Sequence, residues 1–214
     1  MKVTNLYTKM EKTLNSLKEN KLNFASFCSL AKEICDLIEN DGVSYSDLTN
    51  KGELFQHSVN VAILSGELGI IYNINDIYNL VLGSLTHDLG KLYINQSILN
   101  KNGKLSDIEK IIVAEHANIG YKVIRYFTEN EIVSDIVLKH HTVFNDISPN
   151  TDIRELKDKE KYPLICGIAD VTDAVLSHRP YKKPLPKEVL FIDLNEKGLI
   201  GYYDNLNSLI GEIA

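Results

Sequence analysis

Apolar residues recur at steps of three and four positions through most of this chain, and that spacing restricts the fold more than any other feature of the sequence. It is the period of one face of an α-helix, whereas a half-buried strand alternates at every second position. In the window 76–89 the apolar face consists of Ile77, Leu80, Val81, Leu85 and Leu89. Comparable stripes run through windows 131–141 and 163–177, and window 59–71 is apolar enough to be a buried helix. No Asn-Gly turn joins two alternating runs, so the sequence predicts an all-α helical bundle.

One helix start can be read directly from the sequence. Ser106, with Glu109 three positions later, has the pattern of a capping box. We expect the helix that begins there to run on through position 123. Its buried face is predicted to consist of Ile108, Ile112, His116, Ile119 and Val123.

The chain divides into a short N-terminal part and one large domain. Residues 1–48 are predicted to form two amphipathic helices, an extension that packs on a main domain of residues 49–214. A turn-rich joint at 41–52 connects them. The polar stretches 145–163 and 178–188 are predicted to be loops, the first of them with room for a short helix.

Charge and hydropathy exclude several classes of protein. The 214 residues include 23 Lys and Arg against 29 Asp and Glu, a formal net charge of −6, which argues against binding of long nucleic acid. No apolar run approaches the ~18 residues that span a bilayer, so no membrane partner is expected, and the polar N-terminus lacks the apolar centre of a signal peptide. Three cysteines without a CxxC pair are typical of a reducing cytosol, so we expect a cytoplasmic protein.

The histidines give the first indication of chemistry. Five of the six lie at or beside the apolar stripes of different predicted helices, namely His57, His87, His116, His140 and His141. One buried histidine is usually a hydrogen-bonded core residue, but five would add up a large desolvation cost unless something binds their nitrogens. The last two are adjacent, and both are predicted to continue the buried stripe of their helix.

Two acidic residues stand beside these histidines. Glu53 lies four positions before His57 on the same helical face, although it also fits a first-turn helix cap after Asn50. Asp88 follows His87 directly. It either orients that histidine or binds a metal beside it, and the spacing alone leaves both interpretations open.

A further carboxylate, Asp170, lies inside an apolar helix, where Asp is rare unless it is paired or binds a metal. Asp173 is its helical neighbour and a candidate to orient a ligand. Together with the imidazoles, these carboxylates make seven or eight N and O donors and no thiolate, too many for one ion. Such donors suit two or three Fe or Mn ions bridged by a carboxylate, a centre that activates water for phosphoester hydrolysis.

The positive charge that a phosphate ligand requires is also present. Lys91 stands one turn beyond His87, and the stretch HRPYKKP supplies Arg179, Lys182 and Lys183. Arg binds phosphate through two parallel hydrogen bonds, and Lys supplies a point charge. A solvated basic patch is the alternative interpretation of these residues.

In their order along the chain, these motifs resemble the HD-GYP phosphodiesterases, a branch of the HD superfamily of metal-dependent phosphohydrolases. The resemblance covers roughly residues 49–200. It rests on HSVNVA at 57–62, HDLGK at 87–91, the stretch 97–124 around His116, KHH at 139–141 and GIADVTDAVLSHRPYKKP at 167–184. It implies an HD-superfamily helical bundle with a metal centre in the bundle core.

The resemblance also implies a set of metal ligands. These would be Glu53, His57, His87, Asp88, His116, His140, His141 and Asp170. Asp88 would be the bridging carboxylate, and Glu53 stands where members with three metals have an extra ligand. The implied cofactors are two or three divalent metal ions, with Fe or Mn favoured.

The implied reaction is hydrolysis of cyclic di-GMP to the linear dinucleotide and on to GMP. Asp88 and Lys91 would be the catalytic residues, and Lys91 and Arg179 would hold the phosphodiester, with Lys182 assisting. The implied partner is a cyclic dinucleotide substrate, and a homodimer is left open.

The chain departs from the family pattern after the double histidine. Family members continue with Glu-Arg, Asp-Gly and the Gly-Tyr-Pro that names them, whereas this chain reads HHTVFNDISPN at 140–150. Asn95 also stands where the family commonly has proline. We therefore expect an intact metal centre beneath an altered substrate loop.

Three functions follow from this reading. The favoured one is a metal-dependent phosphodiesterase acting on a cyclic dinucleotide, with cyclic di-GMP first. The second is an HD phosphohydrolase acting on another nucleotide phosphoester, against which His116, His140 and His141 argue because one-metal members do not require them. The third is a non-catalytic module that binds nucleotide or metal, against which the complete ligand set argues.

Overall fold

The computed structural model of the chain describes residues 2–18, 23–40, 42–48, 54–177 and 184–211. Within these ranges the α-helices are α1 (Lys2–Lys18), α2 (Phe24–Asn40), α3 (Leu54–Ile71), α4 (Ile77–Thr86), α5 (Gln96–Leu99), α6 (Asp107–Ala114), α7 (His116–Phe127), α8 (Glu131–Lys139), α9 (Asp158–Leu176), α10 (Lys187–Glu196) and α11 (Tyr203–Ile210). Short 3-10 helices lie at Tyr45–Asp47, Leu89–Tyr93, Val143–Asn145 and Ile153–Glu155. Two strands of two residues each pair in parallel, β1 (Thr151–Asp152) and β2 (Leu199–Ile200). The all-α prediction is confirmed.

Helix α3 lies at the centre of the bundle, which explains why its apolar residues are not confined to one face. Val59, Val61 and Leu64 point in different directions and are all buried, because α1, α2, α4 and α9 pack around it. A helix that is apolar on every side belongs inside a core. By length and composition alone α3 could also cross a membrane, but 72% of its apolar window is buried inside the bundle.

The two amphipathic helices predicted within residues 1–48 are α1 and α2. Their apolar faces, with Leu6 and Phe27, form one cluster with Ile63 of α3 and Val81 of α4. A second cluster joins α3 to α9, α10 and α11. The domain boundary after residue 48 stays a prediction, and the first cluster is continuous across it.

The helix predicted from Ser106 through position 123 is wrong as a single element. The capping box is present, because Ser106 Oγ accepts the Glu109 N–H at 3.3 Å and Glu109 Oε2 accepts the Ser106 N–H at 2.6 Å. However, α6 ends at Ala114, and α7 begins two residues later at His116. Residues spaced by three and four positions lie on one face only within a single helix, so the predicted stripe is divided between α6 and α7.

The predicted buried face is broken at the same place. Ile108 and Ile112 of α6 are 72% and 38% exposed, whereas His116 and Ile124 of α7 are buried. The reason is that α6 packs mainly against its chain neighbours α5 and α7, outside the central bundle.

The polar stretch 145–163 is a shorter loop than predicted, because α9 already begins at Asp158. Asp158 and Glu160 lie in the first helical turn, where the helix dipole favours negative charge. The charged residues that suggested a loop are therefore the polar start of the helix that carries Asp170.

Candidate metal centre

Seven of the eight predicted metal ligands lie in the part of the chain that the structure describes, and it brings all seven together. Glu53, the eighth, lies outside the described residues, as do Arg179 and Lys182. The seven form three overlapping groups, and within each group the ligand atoms lie within 4.8 Å of one another. The groups are His57, His87 and Asp88; His87, His140 and Asp170; and His116, His140 and His141.

The ends of three helices position three of the histidines. His87 and His140 cap the C-termini of α4 and α8, and His116 directly follows the C-cap of α6. Each places its Nδ1 against the backbone carbonyl oxygen three residues earlier, at 2.7, 2.9 and 2.7 Å respectively. Carbonyls in the last turn of a helix lack a helical donor, so the Nδ1–H fills a vacant position. The Nε2 lone pair of each ring is then free to face the interior.

His57 is held by a side chain instead, because it lies within α3 and not at a helix end. Its Nδ1 lies 2.7 Å from Asp173 Oδ2, so Asp173 occupies the orienting position expected for it. The opposite nitrogen, His57 Nε2, lies 3.1 Å from Asp170 Oδ1 and 3.5 Å from Asp88 Oδ2. His57, His87 and His116 thus direct Nε2 toward Asp88, and His140 directs Nε2 toward His116 Nε2.

Asp88 lies at the middle of the cluster. Its Oδ2 is 3.4 Å from His87 Nε2 and 2.5 Å from Lys91 Nζ, and its Oδ1 is 3.3 Å from His116 Nε2. His57 Nε2 also lies 3.5 Å from Asp88 Oδ2. A carboxylate with neighbours on both oxygens has the geometry that a bridging ligand requires.

The inward-facing nitrogen and oxygen atoms of the cluster are better placed to bind a cation than to hydrogen-bond one another. His87 Nε2 and Asp88 Oδ1 are buried and have no hydrogen-bond partner among the described residues. His116 Nε2 and His140 Nε2 are 3.2 Å apart; since both rings direct Nδ1 at a carbonyl, two lone pairs face each other. Buried polar atoms left in this state cost free energy. Imidazole nitrogens and carboxylate oxygens without a thiolate suit divalent transition-metal ions.

The electrostatics keep the carboxylates ionised. Burial would raise the pKa of Asp88, but the Lys91 ammonium and the His87 and His116 imidazoles hold that pKa well below its usual value. Burial likewise opposes ionisation of Asp170, and its contact with His57 outweighs burial and lowers the pKa. Both carboxylates are thus in the form that binds a metal at neutral pH.

Most of the imidazoles are kept neutral. Burial lowers the pKa of His116 to about 4 and holds the pKa of His140 well below its usual value. His57 differs: burial would lower its pKa, but the carboxylates of Asp170 and Asp173 outweigh burial and raise it to about 9. Without a metal, His57 is therefore protonated at neutral pH and paired with Asp170 and Asp173.

His141 corrects one prediction. Both rings of the double histidine were expected in the buried stripe, but the His141 side chain is 46% exposed, whereas His140 is fully buried. Helix α8 ends at Lys139, so His141 lies beyond the helix and does not continue its buried face. The His141 Nδ1 still lies 3.7 Å from Asp170 Oδ2, which places this ring at the solvent side of the cluster.

A cavity of about 550 Å³ opens beside His141. Much of its wall is the loop that replaces the expected Gly-Tyr-Pro segment, and the rest is the turn after α10. Its lining includes Phe144, Asn145, Asn150, Asn195 and Lys197. One exposed predicted ligand thus connects the buried cluster to an open, amide-rich cavity.

The glycine of HDLGK has a steric role. A Cβ on Gly90 would lie 1.9 Å from the His116 carbonyl oxygen and 2.8 Å from the Gly120 backbone nitrogen. The turn after Asp88 and the start of α7 therefore touch through their backbones. Only glycine permits this approach, which brings His116 within reach of Asp88.

Three polar residues of the site escape sequence reasoning. Asn60 and Tyr45 both hydrogen-bond Asp173, and Tyr7 hydrogen-bonds Asn60. Asn60 carries a signal, since it is a polar residue one turn after His57 inside the apolar run 59–64. The tyrosines carry none, because nothing in the local sequence shows that Tyr7 reaches α3 or that Tyr45 reaches α9.

The fold and the cluster define a helical bundle whose core holds groups of His and Asp that could bind metal ions. Comparison with known families agrees with this class: the model of the HD domain family matches residues 54–194. The chain belongs to the HD domain family, whose members are metal-dependent. The predicted family is confirmed.

Characterised relatives are similar over most of the chain. A Thermotoga maritima protein named cyclic di-GMP phosphodiesterase is 28% identical over 66% of this chain and 39% of its own length. The Xanthomonas campestris cyclic di-GMP phosphodiesterase response regulator RpfG is 29% identical over 66% of this chain and 37% of its own. The Vibrio cholerae 3'3'-cGAMP-specific phosphodiesterase 1 is 28% identical over 77% of this chain and 36% of its own. The chain thus spans little more than a third of each relative.

Proposed function

We propose that this protein is a metal-dependent phosphodiesterase that hydrolyses a cyclic dinucleotide, with cyclic di-GMP first among the candidates, to the linear dinucleotide and on to GMP. One observation carries the proposal: the buried Asp88 carboxylate has the Nε2 atoms of His57, His87 and His116 within 3.5 Å of its oxygens, and His87 Nε2 has no hydrogen-bond partner among the described residues. The names of the relatives support the same reaction, since they act on cyclic di-GMP or 3'3'-cGAMP.

The proposed cofactors are two or three Fe or Mn ions. Two ligand groups share no residue: His57, His87 and Asp88 form one, and His116, His140 and His141 form the other. Asp88 and Asp170 lie close enough to both to connect them. Glu53 is proposed as the ligand of a third ion, on the motif alone. Ions bound there would supply Lewis-acid activation of water and of the phosphoryl oxygens.

The protein's own groups would orient the diester. Lys91 is 22% exposed and anchored on Asp88, so its ammonium stands at the edge of the cluster where an anionic ligand enters. We assign Lys91 and Arg179 to the phosphodiester, with Lys182 assisting, and Asp88 and Lys91 to catalysis. Fixed cations of this kind stabilise the negative charge that develops on a phosphoryl group.

The cavity beside His141 supports a ligand larger than a phosphate. Its volume of about 550 Å³ lies in the ordinary range for small-molecule sites. The amides of Asn145 and Asn150 line the cavity and can hydrogen-bond a base edge. The absence of Gly-Tyr-Pro from this loop leads us to test both dinucleotides that the relatives' names contain.

The proposed location is the cytoplasm, which the free thiols of Cys28, Cys35 and Cys166 support. The homodimer stays a prediction.

The direct test is product analysis. Protein loaded anaerobically with Fe(II) or Mn(II) is incubated with cyclic di-GMP, 3'3'-cGAMP, the linear dinucleotides and GMP, and the products are separated by chromatography. We expect a cyclic dinucleotide to be opened to its linear form. Metal-loaded protein that leaves every cyclic dinucleotide intact contradicts the proposal, and hydrolysis of a linear substrate alone favours the second function named above.

A further inference from the structure

A buried chain of hydrogen bonds connects the N-terminal part of the protein to the predicted ligand His57. The outer members are Tyr7 of α1 and Tyr45 of the first 3-10 helix, and both precede the HD-family match, which begins at residue 54. The inner members are Asn60 and Asp173. All are at most 6% exposed, so each polar atom depends on a protein partner.

Asp173 is the junction of this chain. Its Oδ2 faces His57 Nδ1 at 2.7 Å, while its Oδ1 accepts the Tyr45 hydroxyl at 2.9 Å and the Asn60 amide at 2.9 Å. A carboxylate held by three donors cannot rotate without breaking one of them. Its orientation therefore fixes the orientation of the His57 ring.

Tyr7 extends the chain by one step. Its hydroxyl donates to Asn60 Oδ1 at 2.7 Å, which fixes the amide so that its NH₂ group points at Asp173. Without the hydroxyl, the Asn60 side chain could turn its oxygen toward the carboxylate, and that contact would be repulsive. Tyr7 thus determines which end of the amide Asp173 meets.

The two tyrosine rings are anchored in different parts of the core. Tyr7 packs in the apolar cluster of α1, α2, α3 and α4, and Tyr45 packs in the cluster of α3, α9, α10 and α11. The carboxylate that orients His57 is therefore held from both sides of the bundle.

We infer that Tyr7 and Tyr45 are positioning residues of the metal centre, which hold His57 Nε2 toward Asp88 and Asp170 by way of Asn60 and Asp173. The inference rests on the proposed metal centre. It makes the N-terminal segment part of the support of that centre, although the HD-family match does not include it.

The variants Tyr7→Phe and Tyr45→Phe test this, because each removes one hydroxyl and keeps the packed ring. Tyr202→Phe is the matched control: its buried hydroxyl donates to the Phe191 carbonyl and to Asn195, away from Asp173. Mn²⁺ is titrated into each metal-free full-length protein against a competing chelator. We expect about fivefold weaker binding for each test variant, about 10- to 100-fold for Asp173→Asn, and wild-type binding for the control.

A second readout does not depend on metal. In metal-free protein labelled with ¹⁵N-histidine, the His57 Nδ1 signal should move in both test variants and stay in place in Tyr202→Phe. Unchanged Mn²⁺ affinity with an unchanged His57 signal overturns the inference, even if the variants unfold at lower temperature. A wild-type chain that binds no Mn²⁺ overturns the proposed function, while the His57 signal still decides whether the tyrosines hold the ring.

Discussion

At the scale of single residues, the predicted metal ligands differ in burial, because several are buried and one, His141, faces solvent. His140 is enclosed and hydrogen-bonds a backbone carbonyl, whereas the His141 side chain is 46% exposed at the mouth of the cluster. The two residues are adjacent in sequence and have the same chemistry. Their contributions to folding and to function should therefore differ.

Substituting each of the two with alanine measures this difference. His141→Ala should change the free energy of unfolding of the metal-free protein by no more than about 0.5 kcal/mol, as is usual for an exposed residue, while it weakens metal binding. His140→Ala should cost about 1–3 kcal/mol, because the Val137 carbonyl loses its donor inside the core. Urea unfolding of both chelator-treated variants gives the two values, and equal losses would contradict the assigned positions.

The residue types at the site were readable from the sequence, and their supports were not. The helical spacing and the motifs put His57, His87, Asp88 and Asp170 into one predicted centre, because residue type and period are local properties. The carbonyl acceptors behind three imidazoles became visible only with the helix ends, and the contact from Tyr7 to Asn60 joins positions 53 residues apart.

At the scale of elements, three helix C-termini and one tight turn build the centre. The end of a helix offers a carbonyl that accepts the Nδ1–H of a histidine, and the negative end of its dipole favours a cation nearby. The sequence predicted α1 to α4, α8, α9 and the Ser106 cap, but it read α6 and α7 as one helix with a single buried face across the break at Glu115. Such a break depends on where α7 packs, which no local pattern records.

Gly90→Ala tests the turn. The new methyl group would overlap the His116 carbonyl oxygen at 1.9 Å, and relief of that overlap has to move His116 away from Asp88. We expect a loss of about 1–3 kcal/mol in the free energy of unfolding, together with weaker metal binding.

Gly120→Ala, on the facing element, is the control for Gly90→Ala. Its methyl group would meet the Val137 side chain at 2.9 Å and the Gly90 backbone nitrogen only at 3.3 Å, so the closest overlap is with a side chain, which can shift where a backbone cannot. Urea unfolding should therefore show a smaller loss. A Gly90→Ala protein with wild-type stability and metal affinity would show that the backbone contact is not required.

At the scale of the whole molecule, the centre joins α3, α4, α8 and α9 with the start of α7. A metal that binds only the folded chain stabilises all of these contacts at once. In the metal-free cluster, the Nε2 lone pairs of His116 and His140 face each other at 3.2 Å. A bound cation would remove this repulsion and so increase the stabilisation further. Stability and metal occupancy should therefore change together.

Thermal unfolding with and without metal measures that coupling. With free Mn²⁺ at one hundred times its dissociation constant, the stabilisation is about 2.7 kcal/mol, which raises the midpoint by about 5–10 °C for a chain of this size. EDTA should reverse the rise. If neither Mn²⁺ nor EDTA changes the thermal unfolding midpoint, no ion binds the folded cluster.

The most direct measurement is the metal content of wild-type protein and of Asp88→Asn, by native mass spectrometry after anaerobic loading with Fe(II) or Mn(II). Asp88→Asn keeps the shape of the side chain and removes the charge that the surrounding imidazoles share. We predict two or three ions per wild-type chain and fewer than one in the variant, with equal helical circular dichroism. A wild-type chain without metal, or a variant that holds as many ions as the wild type, would contradict a metal centre built around Asp88.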